Sequence, residues 1–217
     1  MSKKFFERLF IFGIPNPDEN DGDTTLEKLK EGNKHFTSYV LNTASVSNID
    51  RVRYLAKNGQ KPLAILVTCS DARISPERIF NAEMGDFFII RTAGNVVGDL
   101  ELGSIEYALT SFGTDMVLVM GHENCGAIHS AIDDHDHEHN IGNIKHIIDI
   151  IQPSIDKAKQ ETDNHFSIIS KAEDYNIINS VNKIKSSKII KKLISEGKVT
   201  VIGAKYGIAT GDVTFFE

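Results

Sequence analysis

Four short segments of the chain are apolar at nearly every position. They cover residues 63–68, 87–90, 116–120 and 199–202. A strand with one face in solvent alternates apolar and polar residues, whereas a strand that is covered on both faces does not. Continuous apolar runs of this length therefore predict the buried strands of a parallel sheet.

Between these segments, apolar residues recur every three or four positions, as they do on a helix with one buried face. This pattern marks residues 102–109, 144–155, 177–184 and 189–194. Before the first strand, Thr24 or Thr25 is a candidate N-cap for a helix that continues to Val40, and residues 49–57 form a second, short helix that ends before Gly59.

The alternation of strands and helices predicts an α/β fold. We expect a mostly parallel central sheet of about four strands plus an edge strand, with helices on both faces and an N-terminal helical arm. Residues 1–23 form the N-terminal arm and its loop, and residues 24–217 form a single domain.

The first fifteen residues resemble a secretion signal, with Lys3 and Lys4 followed by apolar side chains. Glu7 and Arg8 interrupt the segment, and the remaining apolar run is shorter than the roughly 7–15 residues of a signal core. We interpret the segment as an amphipathic arm of a cytoplasmic protein. A cleaved or truncated leader is the alternative.

Composition and charge exclude several classes of partner. The 217 residues are 41% hydrophobic and 25% charged, and the formal net charge is −6. Proteins bind nucleic acids through clustered Lys and Arg side chains. Because this chain has a net negative charge, we expect no nucleic-acid partner. Because no apolar run reaches about 18 residues, we also expect no membrane span.

A short stretch from Asp133 to Asn140 alternates His with acidic residues. Such stretches bind metal ions opportunistically. The alternative, which we favour, is an acidic loop in solvent.

The candidate chemistry lies where two predicted strands end. The first strand leads directly into Cys69, with Asp71 and Arg73 just beyond it, and the third leads into His122 and Cys125. Sites in open parallel sheets form beyond the carboxyl ends of the strands. Two thiolates and one imidazole suit zinc, and three protein ligands leave its fourth position open. A disulfide, or two buried and inert cysteines, are the alternatives.

Asp71 and Arg73 sharpen this interpretation. An Arg two residues from an Asp holds the carboxylate through charge-assisted hydrogen bonds, which keeps it ionised as an acceptor beside the metal. If Arg73 releases Asp71, the same carboxylate becomes a fourth metal ligand. A structural ion pair in a loop is the alternative.

Successive motifs of the chain resemble those of β-class carbonic anhydrases, and the resemblance covers nearly the whole sequence. The motifs are Cys69-Ser70-Asp71-Ala72-Arg73, Arg91-Thr92-Ala93-Gly94-Asn95, Ser104-Ile105-Glu106-Tyr107-Ala108, His122-Glu123-Asn124-Cys125-Gly126 and the segment 203–213. The family usually has Ser where this chain has Ala72, and we expect little consequence because that residue is not a ligand.

The resemblance implies roles for individual residues. It makes Cys69, His122 and Cys125 the ligands of one zinc ion per subunit, with Asp71 as a further ligand only in a closed state. Asp71 and Arg73 are its catalytic dyad.

The resemblance also implies a substrate pocket and an assembly. Gln60, Phe88 and Tyr107 match the plant-like branch, in which they line the carbon dioxide pocket, partly from a neighbouring subunit. The chain then forms a homodimer or a dimer of dimers through helices within residues 24–217. Leu66 stands where another branch has the Trp of an inhibitory bicarbonate site, which favours an open fourth zinc position.

The implied function is the zinc-dependent, reversible hydration of carbon dioxide to bicarbonate and a proton. Two alternatives remain at the level of sequence. The first is hydrolysis of carbon disulfide or carbonyl sulfide, which relatives with the same ligands catalyse. The second is a regulatory protein that binds zinc at this site but has no catalytic activity.

Overall fold

The central sheet of the computed structural model has five strands, and the structure describes residues 24–38, 49–133 and 142–216. The strands are β1 (Ala64–Cys69), β2 (Phe87–Thr92), β3 (Met116–His122), β4 (Thr200–Tyr206) and β5 (Val213–Phe216). Their order across the sheet is β2-β1-β3-β4-β5. The first four are parallel, and β5 pairs antiparallel with β4 at the edge. The predicted α/β class and mostly parallel sheet are confirmed.

The described residues form helices around this sheet, and several of them pack on its two faces. They are α1 (Thr25–Thr37), α2 (Ile49–Asn58), α3 (Pro76–Ile79), α4 (Asp99–Phe112), α5 (Gly126–Asp133), α6 (Ile144–Lys159), α7 (His165–Ser186) and α8 (Lys188–Ser195), with a short 3-10 turn at Ala93–Asn95. Thr24 caps α1, because its side chain accepts the Glu27 N–H while the Glu27 carboxylate accepts the Thr24 N–H. The predicted arm and loop at 1–23, Val40, and most of the His-rich stretch lie outside the described residues.

One predicted boundary is wrong. The helix expected over 177–184 begins much earlier, at His165, where Asn164 caps it by accepting the Ser167 N–H. The apolar pattern failed there because two buried positions in the part of α7 before Ile177, Glu173 and Asn176, are polar. Both contact the candidate site.

Two apolar layers cover the sheet, and side chains of β1 alternate between them as strand geometry requires. Ile65 and Val67 pack with residues of α4, α7 and α8. Ala64 and Leu66 face the opposite layer, which contains Leu29 of α1. Every residue of β1 and of β3 is buried, which explains why these runs show no polar alternation.

Helix α7 lies unusually close to the sheet. A Cβ atom added at Gly121 would be 2.6 Å from Ile177 Cγ1, and one added at Gly203 would be 2.7 Å from Ile177 Cγ2. The two glycines on β3 and β4 therefore allow α7 to approach the strand ends. Among the described residues, no helix is long and apolar enough to cross a membrane.

Candidate active site

Sheet topology brings the two cysteines and the histidine together. Strands β1 and β3 are parallel neighbours, with Thr68 paired to Met120. The segments that follow the two strands therefore leave the sheet at the same edge. The ligand atoms of Cys69, His122 and Cys125 all lie within 4.8 Å of one another, and all three residues are buried. Both cysteines are free, so the disulfide alternative is wrong.

The turn after β3 orients His122. Its Nδ1 lies 2.8 Å from the Glu123 carbonyl oxygen, which requires Nδ1 to carry the proton and leaves a lone pair on Nε2. Nε2 is buried and has no hydrogen-bond partner among the described residues. A buried nitrogen lone pair beside two sulfurs fits a metal ion, since histidine ligands are commonly fixed in this way through their other nitrogen.

The two sulfurs are electrostatically coupled. A hydrogen bond from the Cys125 thiol lowers the pKa of Cys69 to about 4, and the Gly94 N–H also donates to Cys69 Sγ at 3.3 Å. The same hydrogen bond with Cys69, together with burial, raises the pKa of Cys125. Without a cation, the pair therefore holds one proton. A divalent cation compensates the second negative charge, so the donor set fits zinc.

Asp71 and Arg73 form the predicted pair at the mouth of this cluster. Arg73 Nε donates to Asp71 Oδ1 at 2.9 Å, and Arg73 Nη2 donates to Oδ2 at 2.7 Å. These hydrogen bonds hold the pKa of the Asp71 carboxyl well below its usual range. Asp71 Oδ2 also lies 3.9 Å from His122 Nε2, so the ionised carboxylate faces the candidate metal position.

Arg91 fixes the loop that carries Asp71. Its Nε donates to the Cys69 carbonyl at 3.2 Å, and its Nη2 donates to the Asp71 carbonyl at 2.9 Å. Arg91 belongs to one of the sequence motifs, but the motif did not indicate its role. Its position at the end of β2, next to β1, is the signal that would have indicated one.

Two further residues that sequence reasoning missed come from α7. Glu173 Oε1 accepts the Cys125 N–H at 3.2 Å, and Asn176 Nδ2 donates to the Gly94 carbonyl at 2.6 Å. Gly94, which has a positive φ of 67°, presents its N–H to Cys69. The sequence signal that could have identified Glu173 and Asn176 is that they are polar residues on the otherwise apolar face of a helix.

The structure places the three predicted pocket residues away from this cluster within one chain. Phe88 pairs with Ile65, four positions before the end of β2, which is about 13 Å along the strand. Phe88 packs against Tyr107 and Phe112 of α4, with ring centroids 6.3 and 5.8 Å away. Tyr107 is 55% exposed, and Gln60 is exposed between α2 and β1.

Comparisons with known proteins agree with these features. A family model described as carbonic anhydrase matches residues 64–213. The chain is 32% identical over 185 residues to carbonic anhydrase 2 of Mycobacterium tuberculosis, covering 84% of this chain and 87% of that protein.

Solved structures show the same fold. The Coccomyxa β-carbonic anhydrase, solved in complex with acetazolamide, superimposes with a TM-score of 0.69 at 26% identity, covering 88% of this chain and 86% of that one. A tetrameric β-carbonic anhydrase of Sordaria macrospora gives a TM-score of 0.70 at 22% identity, with coverages of 88% and 96%.

Proposed function

The chain belongs to the β-class carbonic anhydrases, and we propose that Cys69, His122 and Cys125 hold the zinc ion on which it hydrates carbon dioxide reversibly to bicarbonate and a proton. The observation that carries the ligand assignment is the buried cluster of three donor atoms within 4.8 Å, one of them the unpartnered Nε2 of His122. Each subunit supplies one such cluster.

Zinc supplies the chemistry that water lacks at neutral pH. When bound, it acts as a Lewis acid and lowers the pKa of a bound water to about 7, a magnitude known from a carbonic anhydrase with three histidine ligands. The chain contributes two thiolates and one imidazole whose tautomer the Glu123 carbonyl fixes. Because three residues supply the ligands, a fourth position remains for the reaction.

Asp71 orients the reacting water. The paired Arg73 keeps the carboxylate ionised, so Asp71 can only accept a hydrogen bond and directs a water lone pair towards carbon dioxide. Arg73 also donates to the Asn124 carbonyl at 3.1 Å, which ties it to the turn that carries Cys125. The dyad and the ligand turn are therefore one connected unit.

The fourth metal position is open in the form that we propose. Both carboxylate oxygens of Asp71 are engaged by Arg73, and Leu66 is buried in the core at the position of the Trp in the closable branch. Lower pH would favour a closed form, in which Arg73 would release Asp71 and zinc would be held by Asp71 together with Cys69, His122 and Cys125. A crystal structure near pH 8 with Asp71 on zinc and Arg73 unpaired would contradict this proposal.

A partner subunit completes the substrate pocket in this proposal. The exposed Tyr107 and Leu100 on α4 give that helix an apolar outer surface. Phe88 lies too far along the sheet to line the metal position of its own chain, and Tyr107 packs against Phe88. In this proposal a second copy therefore brings both residues, with Gln60, to the metal position. A homodimer, or a dimer of dimers like the tetrameric relatives from Sordaria macrospora, meets this requirement.

The proposed compartment is the cytoplasm. The ligand set requires two reduced cysteines, and a reducing compartment keeps thiols in that state. Fractionation of cells that produce the full-length chain tests this location, and recovery of a shortened chain outside the cytoplasm would support the leader alternative.

A stopped-flow assay of carbon dioxide hydration tests the function directly. Zinc-loaded protein should bind one zinc per subunit and accelerate hydration, whereas Cys69→Ser should lose both most of its zinc and the activity. The surface variant Lys171→Met is the control and should keep both. Full zinc in Cys69→Ser would contradict the ligand assignment. Turnover of carbonyl sulfide without turnover of carbon dioxide would favour the hydrolase alternative.

A further inference from the structure

We propose that Glu173 and Lys205 are positioning residues of the metal centre, an ion pair of a buried carboxylate and a partly buried lysine that holds the N–H of the peptide bond between Asn124 and Cys125. This inference rests on the proposed ligand role of Cys125. It goes beyond that role because it assigns a function to two residues on other elements of the fold.

Glu173 holds the amide side of this peptide. Its Oε1 accepts the Cys125 N–H at 3.2 Å, and the residue is only 4% exposed. Glu173 lies on α7, one turn before Ile177, whose side chain packs against Gly121 on β3. The close approach of α7 to the sheet therefore places this carboxylate behind the metal-binding turn.

Arg73 holds the carbonyl side of the same peptide. Its Nη2 donates to the Asn124 carbonyl at 3.1 Å and to Asp71 Oδ2 at 2.7 Å. A carboxylate at the N–H and a guanidinium at the C=O form charge-assisted hydrogen bonds at both ends of one peptide plane. Rotation of that plane would move Cys125 Sγ and would also disturb the hydrogen bonds between Arg73 and Asp71.

The turn needs such support because its backbone is unusual. Asn124 has a positive φ of 52°, in the left-handed region that non-glycine residues adopt infrequently. External hydrogen bonds on both sides of the Asn124–Cys125 peptide hold this conformation in place.

Lys205 holds Glu173. Its Nζ lies 2.9 Å from Glu173 Oε2 and 2.9 Å from Asp174 Oδ1, and it donates to the Ser170 carbonyl at 3.1 Å. Lys205 belongs to β4 and pairs in register with Gly121 of β3. The lysine thus joins the sheet to α7 at the level of the metal-binding turn.

The lysine is also required by electrostatics. A buried carboxylate without a cation is costly, and here it would stand beside a site that already contains two thiolates. Lys205 supplies this cation and shares it with the more exposed Asp174, so the carboxylate that accepts the Cys125 N–H is paired with a positive charge.

Zinc release measures this positioning role. Zinc-loaded Glu173→Gln and Lys205→Met should transfer zinc to a chromogenic chelator about 10- to 100-fold faster than wild type, the range typical of residues that support metal ligands from outside. Glu173→Asp keeps the charge balance and the pairing with Lys205 but withdraws the acceptor from Cys125, so it should also release zinc faster. The cobalt-substituted variants should show altered thiolate-to-metal absorption.

Lys171→Met is the matched control, because it removes an ion pair with Glu161 at 2.6 Å from the same helix at a site in solvent. It should release zinc at the wild-type rate. Comparing melting temperatures with and without zinc separates positioning from general stability: positioning reduces the increase that zinc confers, whereas a purely structural role lowers both temperatures equally.

Zinc release within twofold of the control by the folded variants would overturn the proposal. If Glu173→Gln and Lys205→Met do not fold, the rate of zinc release from Glu173→Asp alone tests the proposal. Failure of wild-type protein to hold one zinc, or full zinc retention by Cys125→Ser, would instead overturn the ligand assignment on which the proposal rests.

Discussion

The hydrogen bonds of individual residues, such as His122, orient their side chains for metal binding. One ring nitrogen is committed to the Glu123 carbonyl, and the other is buried without a partner. Asp71 is prepared in the opposite way, because Arg73 engages both of its oxygens and keeps it charged. Each polar group at the site is therefore limited to one chemical role by its hydrogen bonds.

Asp86 leads to a prediction about pH. Burial raises its pKa to about 6, although it pairs with Arg51 at 3.1 Å and accepts the Glu83 N–H at 2.7 Å. A carboxyl whose pKa is higher in the folded than in the unfolded protein contributes stability below its unfolded pKa, and loses it as the pH rises through the folded value. The stability due to Asp86 should therefore fall between about pH 4 and pH 6.

Unfolding in denaturant checks this prediction. Between pH 5 and pH 7.5, the free energy of unfolding of wild-type protein should fall relative to that of Asp86→Asn by roughly 1 kcal/mol, because the Asn does not titrate. Metal-free protein is used for both, so that zinc binding does not contribute. A constant difference across this pH range would show that the Asp86 pKa is not raised.

Helix α7 is the element on which the site most depends. Its apolar residue Ile177 packs against glycines on β3 and β4, while its polar residues Glu173 and Asn176 reach the loops around Cys125 and Gly94. The same close approach thus serves both packing and the metal centre. A small increase in the distance between helix and sheet should affect both.

Gly121→Ala tests this dependence. The new Cβ would lie 2.6 Å from Ile177 Cγ1, so the Ile177 side chain or α7 itself must shift. We expect a loss of about 1–3 kcal/mol in the free energy of unfolding together with reduced activity. The measurements are chemical unfolding and carbon dioxide hydration.

Ile177→Ala supplies the matched comparison for Gly121→Ala. Alone it leaves a cavity, but combined with Gly121→Ala it provides room for the new methyl group. The double variant should therefore be more stable than the sum of the two single changes implies. Strict additivity would mean that the two side chains do not compete for the same space.

In the whole molecule, the metal cluster and Phe88 lie at different places along the sheet, and Tyr107 packs against Phe88 from α4. The cluster is at the carboxyl edge, whereas Phe88 pairs with Ile65 near the opposite end of β1. A single subunit therefore has the ligands without the whole proposed pocket. Activity should depend on association.

Tyr107→Glu tests this requirement. Placing a charge on the exposed apolar surface of α4 should dissociate the dimer and reduce carbon dioxide hydration by at least tenfold, while zinc content stays near one per subunit. Phe166→Glu, which changes a more exposed aromatic residue on α7, should leave the dimer intact. Sedimentation velocity measures the assembly, and a fully active monomer would rule out a shared pocket.

The features that depend on local pattern could be inferred from the amino-acid sequence alone. Uninterrupted apolar runs identified the first four strands. The residues at the ends of β1 and β3 and just beyond them indicated a thiolate and imidazole metal site with an Asp–Arg pair. Successive motifs then indicated the family. These inferences succeeded because side-chain periodicity and short motifs depend on residues that are close together in the sequence.

The folded structure was needed to show which distant residues meet. It placed β1 beside β3, brought Glu173 and Lys205 behind Cys125, and separated Phe88 from the metal cluster of its own chain. No local pattern specifies these contacts, because they arise from strand order and from the close packing of α7 against two glycines. The apolar pattern predicted α7 only in part, since the polar residues that serve the site occupy positions on its buried face.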